Sequence, residues 1–268
     1  MQFLDRIFFR GRRLKWMSSL AGSPLEAVRL VLAMRRDPWA LHALSACDGS
    51  IHFRAVDEQA LKEVLVDREY SFLDKVVAAR LAPKVLDIGA HIGTFAIWVA
   101  RANPAADILS VEADPRTYQV MCRNAEARPP RRGSWTVLHA AAGASDGDVV
   151  RLLTDGPAMG HRVDAAGTEA VMTASLPSLV DRLAGPNGRI DVLKIDIEGS
   201  EEVFLCAAPD VLDRVDQVVI ELHPALCDCD RVYRVLRAHY DAIVDIKARA
   251  SSKPLLHCWR SASGPAAA

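Results

Sequence analysis

The chain has 268 residues, half of them apolar, with 33 Lys and Arg against 34 Asp and Glu. That length and apolar content are enough for one large domain, or one domain with an extension, and a formal charge of −1 excludes a global field that would draw the molecule onto nucleic acid. Six cysteines without regular spacing, and a start that lacks a secretory apolar region, predict reduced thiols in a cytoplasmic protein, and no apolar run reaches the roughly 18 residues of a membrane span.

The opening stretch, MQFLDRIFFRGRRLKWM, interleaves Phe3, Leu4, Ile7, Phe8, Phe9 and Trp16 with Arg6, Arg10, Arg12, Arg13 and Lys15, the composition of a basic amphipathic helix. It suits peripheral contact with an anionic membrane, or packing of its aromatics on the main domain with the arginines solvated. Gly11 interrupts the pattern and favours the second. Ser23 as N-cap and Pro24 at the first helical position open another helix, so residues 1–48 read as an N-terminal helical extension. A short strand at Ile51–Arg54 then leads to an N-cap at Asp57 and a helix with Leu61, Val64 and Leu65 on one face.

From there strands and helices alternate. Strands are predicted at Lys84–Ile88, Ile108–Glu112, Trp135–His139, Asp191–Ile195 and Gln217–Leu222, and helices at Thr94–Ala102, Pro115–Ala127, Ser200–Cys206 and Asp230–His239. A hairpin at Ala242–Lys247 and Leu255–Trp259 closes the series. The alternation predicts an α/β domain over residues 49–262 with a mostly parallel sheet covered by helices on both faces, followed by a disordered tail at residues 263–268.

The sharpest local signal is VLDIGAHIG, between the first of these strands and its helix. Two glycines inside a helix would cost about 1 kcal/mol each relative to Ala, so they mark a backbone requirement: a tight turn at Gly89 and close approach at Gly93. Glu112 ends the next strand 23 residues beyond Gly89, near the roughly 20-residue spacing at which an acid accepts hydrogen bonds from a ribose diol. A nucleoside cofactor is therefore expected. Dinucleotide sites use G-x-G-x-x-G, but here the first of those glycines is Asp87, whose carboxylate would repel a pyrophosphate. A nucleotide-dependent oxidoreductase is disfavoured on that ground, and no P-loop pattern occurs. The acid suits a ligand with an ammonium group, and S-adenosylmethionine presents an amino acid end, a ribose and an adenine.

With VLDIGAHIGTFAIWVA, VEADPRTYQVMCRNAEA, DVLKIDIEGSEEVFL and VVIELHP, the chain resembles the FkbM family of S-adenosylmethionine-dependent methyltransferases over roughly Gly49 to Arg260. The most specific element is Lys194, Asp196, Glu198, Gly199 and Glu201. The resemblance implies a Rossmann-like class I methyltransferase fold with a mostly parallel seven-stranded sheet, and O-methylation of a hydroxyl on a sugar, glycolipid or secondary metabolite. It also implies donor contacts from Asp87, Gly89, Ala90 and Gly93 to the methionine portion, from Glu112 to the ribose and from Ala113 and Asp114 near the adenine. His91 stands where the family more often has Asn, and Pro177 where it usually has Leu-Asp.

Asp196 and Glu198 follow the fourth core strand, and Glu221 and His223 the fifth, so four ionisable groups are expected at one sheet edge. Methyl transfer from a sulfonium is an in-line displacement that needs a positioned acceptor and a group to take its proton. His223 is the first candidate base because imidazole titrates near neutral pH, with Asp196 or Glu198 second. Glu221 and Lys194 are candidate acceptor contacts, Lys194 having ion pairing with a neighbouring acid as its alternative. Glu201 reads as a first-turn acid favourable to its helix dipole. A divalent cation such as Mg²⁺ on Asp196, Glu198 and Glu221 is a competing use of the same carboxylates, but no metal ligand is assigned. His161 is a candidate for a loop over the acceptor. The competing functions are a non-catalytic cofactor-binding module and the disfavoured oxidoreductase.

Overall fold

A computed structural model of the chain describes residues 13–129, 131–154, 162–247 and 252–261. The expectations for residues 1–12, His161 and residues 263–268 lie outside them. The chain opens with helix α1 (residues 13–20) and α2 (Pro24–Ala33), then a hairpin of β1 (His42–Ala46) and β2 (Gly49–Phe53). Next come α3 (Glu58–Leu61), which widens into a π turn over Lys62–Val66, and α4 (Asp74–Ala79). The alternating core follows as β3 (Lys84–Ile88), α5 (Thr94–Ala102), β4 (Asp107–Glu112), α6 (Pro115–Glu126) and β5 (Trp135–His139). An insertion of β6 (Ala141–Gly143), β7 (Val149–Leu153), β8 (Arg162–Val163) and β9 (Glu169–Ser175) precedes α7 (Leu176–Ala184). The core resumes with β10 (Ile190–Ile195), α8 (Glu201–Cys206), β11 (Val215–Glu221), α9 (Cys229–His239), β12 (Ala242–Asp245) and β13 (Leu255–Trp259).

The main sheet has seven strands in the order β12-β13-β11-β10-β3-β4-β5. Every pairing is parallel except the two made by β13, which runs against both β11 and β12. This is the mostly parallel, seven-stranded class I methyltransferase sheet that the motifs imply. Its strand order reverses between β3 and β10, and in open sheets ligands bind outside the carboxyl ends of the strands at that point.

Burial on both faces explains the near-continuous apolar strands. Leu86 and Ile88 of β3 join Leu193 and Ile195 of β10 and Val218 and Ile220 of β11 under α7, α8 and α9. Val85, Val192 and Val219 alternate to the other face, beneath α4 and α5, where Phe95 and Val99 pack. A third core ties the N-terminal elements to the domain: Met17, Leu30 and Val31 pack with Ile51 and Phe53 of the hairpin and with Ile92, Ile97 and Val120. Ser23 caps α2 as expected, accepting from the Leu25 amide at 3.2 Å.

Several boundaries shift for identifiable reasons. Ala46 pairs with Gly49, so the hairpin turn straddles the expected boundary at residue 48. Asp57 stands at the N-cap position of α3 without capping it. Its carboxylate turns back to Arg54, accepting from the backbone amide, Nε and Nη2 at 2.8 Å each. The four-stranded sheet β6-β9-β7-β8 lies outside the expected elements, because strands with exposed Val149 and Met172 carry no clean apolar alternation. Ser175, with Pro177 in the first turn, starts α7.

Candidate active site

The turn after β3 is fixed from both sides. The amides of Gly89 and Ala90 both donate to the Val111 carbonyl of β4, at 3.0 and 2.9 Å, and the Asp196 amide donates to the Ile88 carbonyl at 3.0 Å. Gly89 has a left-handed φ of +72°, and a Cβ there would lie 1.8 Å from the Asp196 carbonyl oxygen. Gly93, at φ +83°, opens α5, and a Cβ there would strike the Trp135 ring at 2.6 Å. The first glycine thus lets two strand ends approach, and the second lets a helix start against an indole.

Glu112, at the end of β4, is oriented by two backbone amides: His91 donates to Oε2 and Asp114 to Oε1, each at 2.8 Å. Each oxygen keeps further acceptor capacity. Burial raises its pKa, with His91 opposing. Asp114 faces away, capping α6 through the amides of Arg116 and Thr117. The Ala113 carbonyl pairs with His139 Nε2 at 2.9 Å.

Behind the turn a polar row crosses three strands. Lys194, Asp87 and Ser110 are register partners on β10, β3 and β4. Lys194 Nζ donates to the Gly89 carbonyl at 2.8 Å and lies 3.3 Å from Asp87 Oδ1. Burial acts to lower the Lys194 pKa, but Asp87 and then Asp196 outweigh it and hold the ammonium above its usual value. Burial lifts the Asp87 carboxyl while Lys194 opposes. An ordinary separation of roughly six pH units keeps the proton on the lysine. Asp87 is therefore neutralised by an ion pair and does not border the cleft; Lys194 spans both.

The cleft at the carboxyl ends of the strands is lined by Gly89, Ala90, Glu112 and Ala113 from the expected donor set, and by Lys194, Asp196 and Glu198. Asp87, Gly93 and Asp114 stand behind it, as do Glu221 and His223. Residues that sequence reasoning did not select include Glu63, Glu69 and Tyr70 before β3, Ala140 after β5, and Arg162. None sits at a motif spacing; only the position of Ala140 just past a core strand end could have flagged it. Two non-glycine residues at the cleft have left-handed backbones, His91 (φ 52°) and Glu198 (φ 49°), a concentration of strain typical of binding sites.

His223 is held between two acids. Its Nδ1 is 2.7 Å from Glu201 Oε1 and its Nε2 is 3.1 Å from Glu198 Oε2, the second an ion-pair contact out of hydrogen-bond alignment. Burial alone would lower its pKa, but the bonds to Glu198 and Glu201 raise it to about 9. At neutral pH it is an imidazolium that donates from Nδ1 to Glu201 and faces the Glu198 carboxylate with Nε2. The same contacts hold Glu198 and Glu201 below the usual carboxylate range against the opposing effect of burial. Glu201 is fully buried, also accepting from the Gly199 amide at 2.9 Å, and so does more than sit in a helix's first turn. Glu198 meets Lys253 at 3.1 Å. Glu221 is raised by burial and by Asp196, and pairs with Lys247 at 2.7 Å, which also reaches Glu69 at 3.0 Å.

Asp196, Glu221 and His223 offer ligand atoms within 4.8 Å of one another. Ligation by His223 would first require the loss of the proton that Glu198 and Glu201 stabilise. All six cysteines are free thiols, with Cys227 and Cys229 sulfurs 3.5 Å apart. Among the described residues no helix is long and apolar enough to cross a membrane.

S-Adenosylmethionine is compatible with this donor set. A half-buried strand-end carboxylate with spare acceptor capacity suits a diol. Among the described lining residues Glu63, Glu69, Glu112, Asp196 and Glu198 outnumber Lys194 and Arg162, with Lys247 and Lys253 pairing Glu69 and Glu198 from outside the lining, and this acidic excess favours a sulfonium and an ammonium over a pyrophosphate.

A curated relative, the hexuronic acid methyltransferase AglP of Haloferax volcanii, is 28% identical over 138 residues, 51% of this chain and 54% of the relative. The chain thus matches about half the length of that protein. Among solved structures, magnesium protoporphyrin IX methyltransferase from Synechocystis PCC 6803 aligns over 86% of this chain and 91% of its own, at 13% identity and a TM-score of 0.44. Human methyltransferase-like protein 13 aligns over 75% and 85%, at 14% identity and 0.44. The methyltransferase FkbM domain model matches residues 87–241, more than half of the chain. The chain therefore belongs to the FkbM family of methyltransferases, whose methyl donor is S-adenosylmethionine.

Proposed function

We propose that the chain methylates a hydroxyl of a sugar-type acceptor, with a hexuronic acid the first acceptor to test, because that is the substrate class named for the curated relative. The observation that carries the reading is the acidic cleft around Glu112 and Asp196 at the sheet's switch point. S-Adenosylmethionine, when bound, supplies an electrophilic methyl group on a sulfonium. In this reading the turn at Gly89 and Ala90, with Glu112 and Ala113, holds the donor. Asp87, Gly93 and Asp114 act indirectly, by fixing Lys194, α5 and α6. Residues 49–262 form the methyltransferase domain, and residues 1–48 an extension built onto it.

Asp196 is the proposed base. It lines the cleft, whereas His223 already carries a proton near neutral pH. The Asp196 carboxylate would take the proton that the acceptor hydroxyl loses as it receives the methyl group the donor would supply. His223 holds Glu198 and Glu201 in place, and Lys247 holds Glu221. A general base contributes roughly 10²–10⁴ in rate. Mass-spectrometric detection of methyl transfer to free and glycosidic hexuronic acids, with Mg²⁺ or with chelator, tests the reading. Asp196→Asn is expected to lower kcat at least 100-fold while leaving S-adenosylhomocysteine affinity nearly unchanged. Donor binding without transfer to any sugar would assign the chain to the non-catalytic binding modules instead.

A further inference from the structure

Helix α2 has two apolar faces, of which the domain covers one. Ala27, Leu30 and Val31 are buried in the N-terminal core. Leu25, Val28 and Leu32, at i, i+3 and i+7, form the opposite stripe, with Leu25 60% and Leu32 55% exposed. The chain leaving the helix presents Trp39, 45% exposed, and Leu41. These two share a shallow groove with Arg54, Arg116 and Arg123, and the Arg54 guanidinium lies over the Trp39 ring at 5.6 Å.

Among the described residues the charge on this part of the chain is mainly positive: residues 13–41 carry five Lys and Arg, of which Arg13 pairs with Glu58, against two Asp and Glu. Arg29, Arg35 and Arg36 are exposed beside the apolar stripe, and Arg116 and Arg123 beside Trp39. The two acids nearby are engaged with backbone: Glu26 accepts from the Ser45 amide and Asp37 from the Trp39 amide, each at 2.8 Å. An aliphatic stripe, an exposed indole and flanking arginines are the combination that lies in a lipid interface, and neither apolar insertion nor charge alone gives stable attachment. A near-neutral molecule with a positive N-terminal part is also oriented by a negative surface before contact.

We infer that the outer face of α2, with Trp39 and Leu41, docks the protein peripherally on an anionic lipid surface. This inference is independent of the proposed acceptor. Its test is co-sedimentation of the full chain with vesicles of phosphatidylglycerol and phosphatidylcholine, and with phosphatidylcholine alone. Binding to the anionic vesicles only is expected, weakening as salt is raised. The triple variant Arg29→Glu, Arg35→Glu, Arg36→Glu should lose about 100-fold in affinity, and Leu25→Ser with Leu32→Ser about tenfold or more. Thermal unfolding midpoints near that of the parent chain establish that both variants are folded. No preference for anionic vesicles, or binding that survives the leucine substitutions, overturns the inference. So does a light-scattering mass of a dimer that falls to the monomer on those substitutions, which would give this face to a second copy.

Discussion

Replacing Gly89 by Ala separates two consequences of the turn, its left-handed backbone and its contact with the end of β10. The left-handed conformation alone costs an L-residue about 1–2 kcal/mol. The Cβ would also lie 1.8 Å from the Asp196 carbonyl oxygen and 2.8 Å from its carbon. Since an ordinary contact is roughly 3.5 Å, the backbone must yield by more than an ångström, and overpacking of this kind costs about 1–3 kcal/mol. Together the two give a loss of about 2–5 kcal/mol. Gly147 is the control: it shares the left-handed φ, at +78°, but an added Cβ meets nothing within 4 Å. Gly147→Ala should therefore show only the backbone part. Urea unfolding of both variants reads the stability difference, and displacement of Asp196 predicts a fall in turnover of about 100-fold for Gly89→Ala alone. Equal destabilisation of the two variants, with unchanged turnover in both, would refute the idea that contact between the turn and Asp196 shapes the site.

Three further outcomes follow from the buried charges. Lys194→Met leaves the buried Asp87 carboxyl without its cation among β3, β4 and β10 and should destabilise by about 3–5 kcal/mol; recovery of much of that loss in the double variant with Asp87→Leu checks the cause. His223 has a folded pKa of about 9 against an ordinary 6.5. Its contribution, at most about 3 kcal/mol, is fully present below pH 6.5 and disappears as pH rises through 9. Urea unfolding across that range should show the slope, and His223→Gln should flatten it. Glu198 and Glu201, with lowered pKa values, give the acid counterpart: stability lost as pH falls through their folded pKa values, measurable in the same series.

The elements that the sequence made legible were those with a single strong physical cause. Buried parallel strands such as Lys84–Ile88 read as apolar runs, and Gly89 and Gly93 as backbone requirements. Glu112 was legible from its spacing, because a strand, a helix and a strand take a nearly fixed length. The inserted sheet was not, since β7 and β9 are half exposed and their pairing is set by each other. Side-chain commitments were equally hidden. That Asp87 turns to Lys194 follows from the register of β3 with β10. The protonation of His223 follows from the meeting of Glu198 and Glu201 from the loop and helix after β10. The cleft's other wall, with Glu63, Glu69 and Tyr70, comes from segments before β3 whose approach is a tertiary matter.

In the proposed function the cleft around Glu112 binds S-adenosylmethionine. Calorimetric titration with S-adenosylhomocysteine, with NADH in parallel, on the parent chain and on Glu112→Ala tests it most directly. Binding of S-adenosylhomocysteine but not NADH is expected, with affinity falling at least tenfold in the variant through loss of charged hydrogen bonds worth about 1.5–3 kcal/mol. Absence of S-adenosylhomocysteine binding to the parent chain, or equal affinity in the variant, would contradict the account.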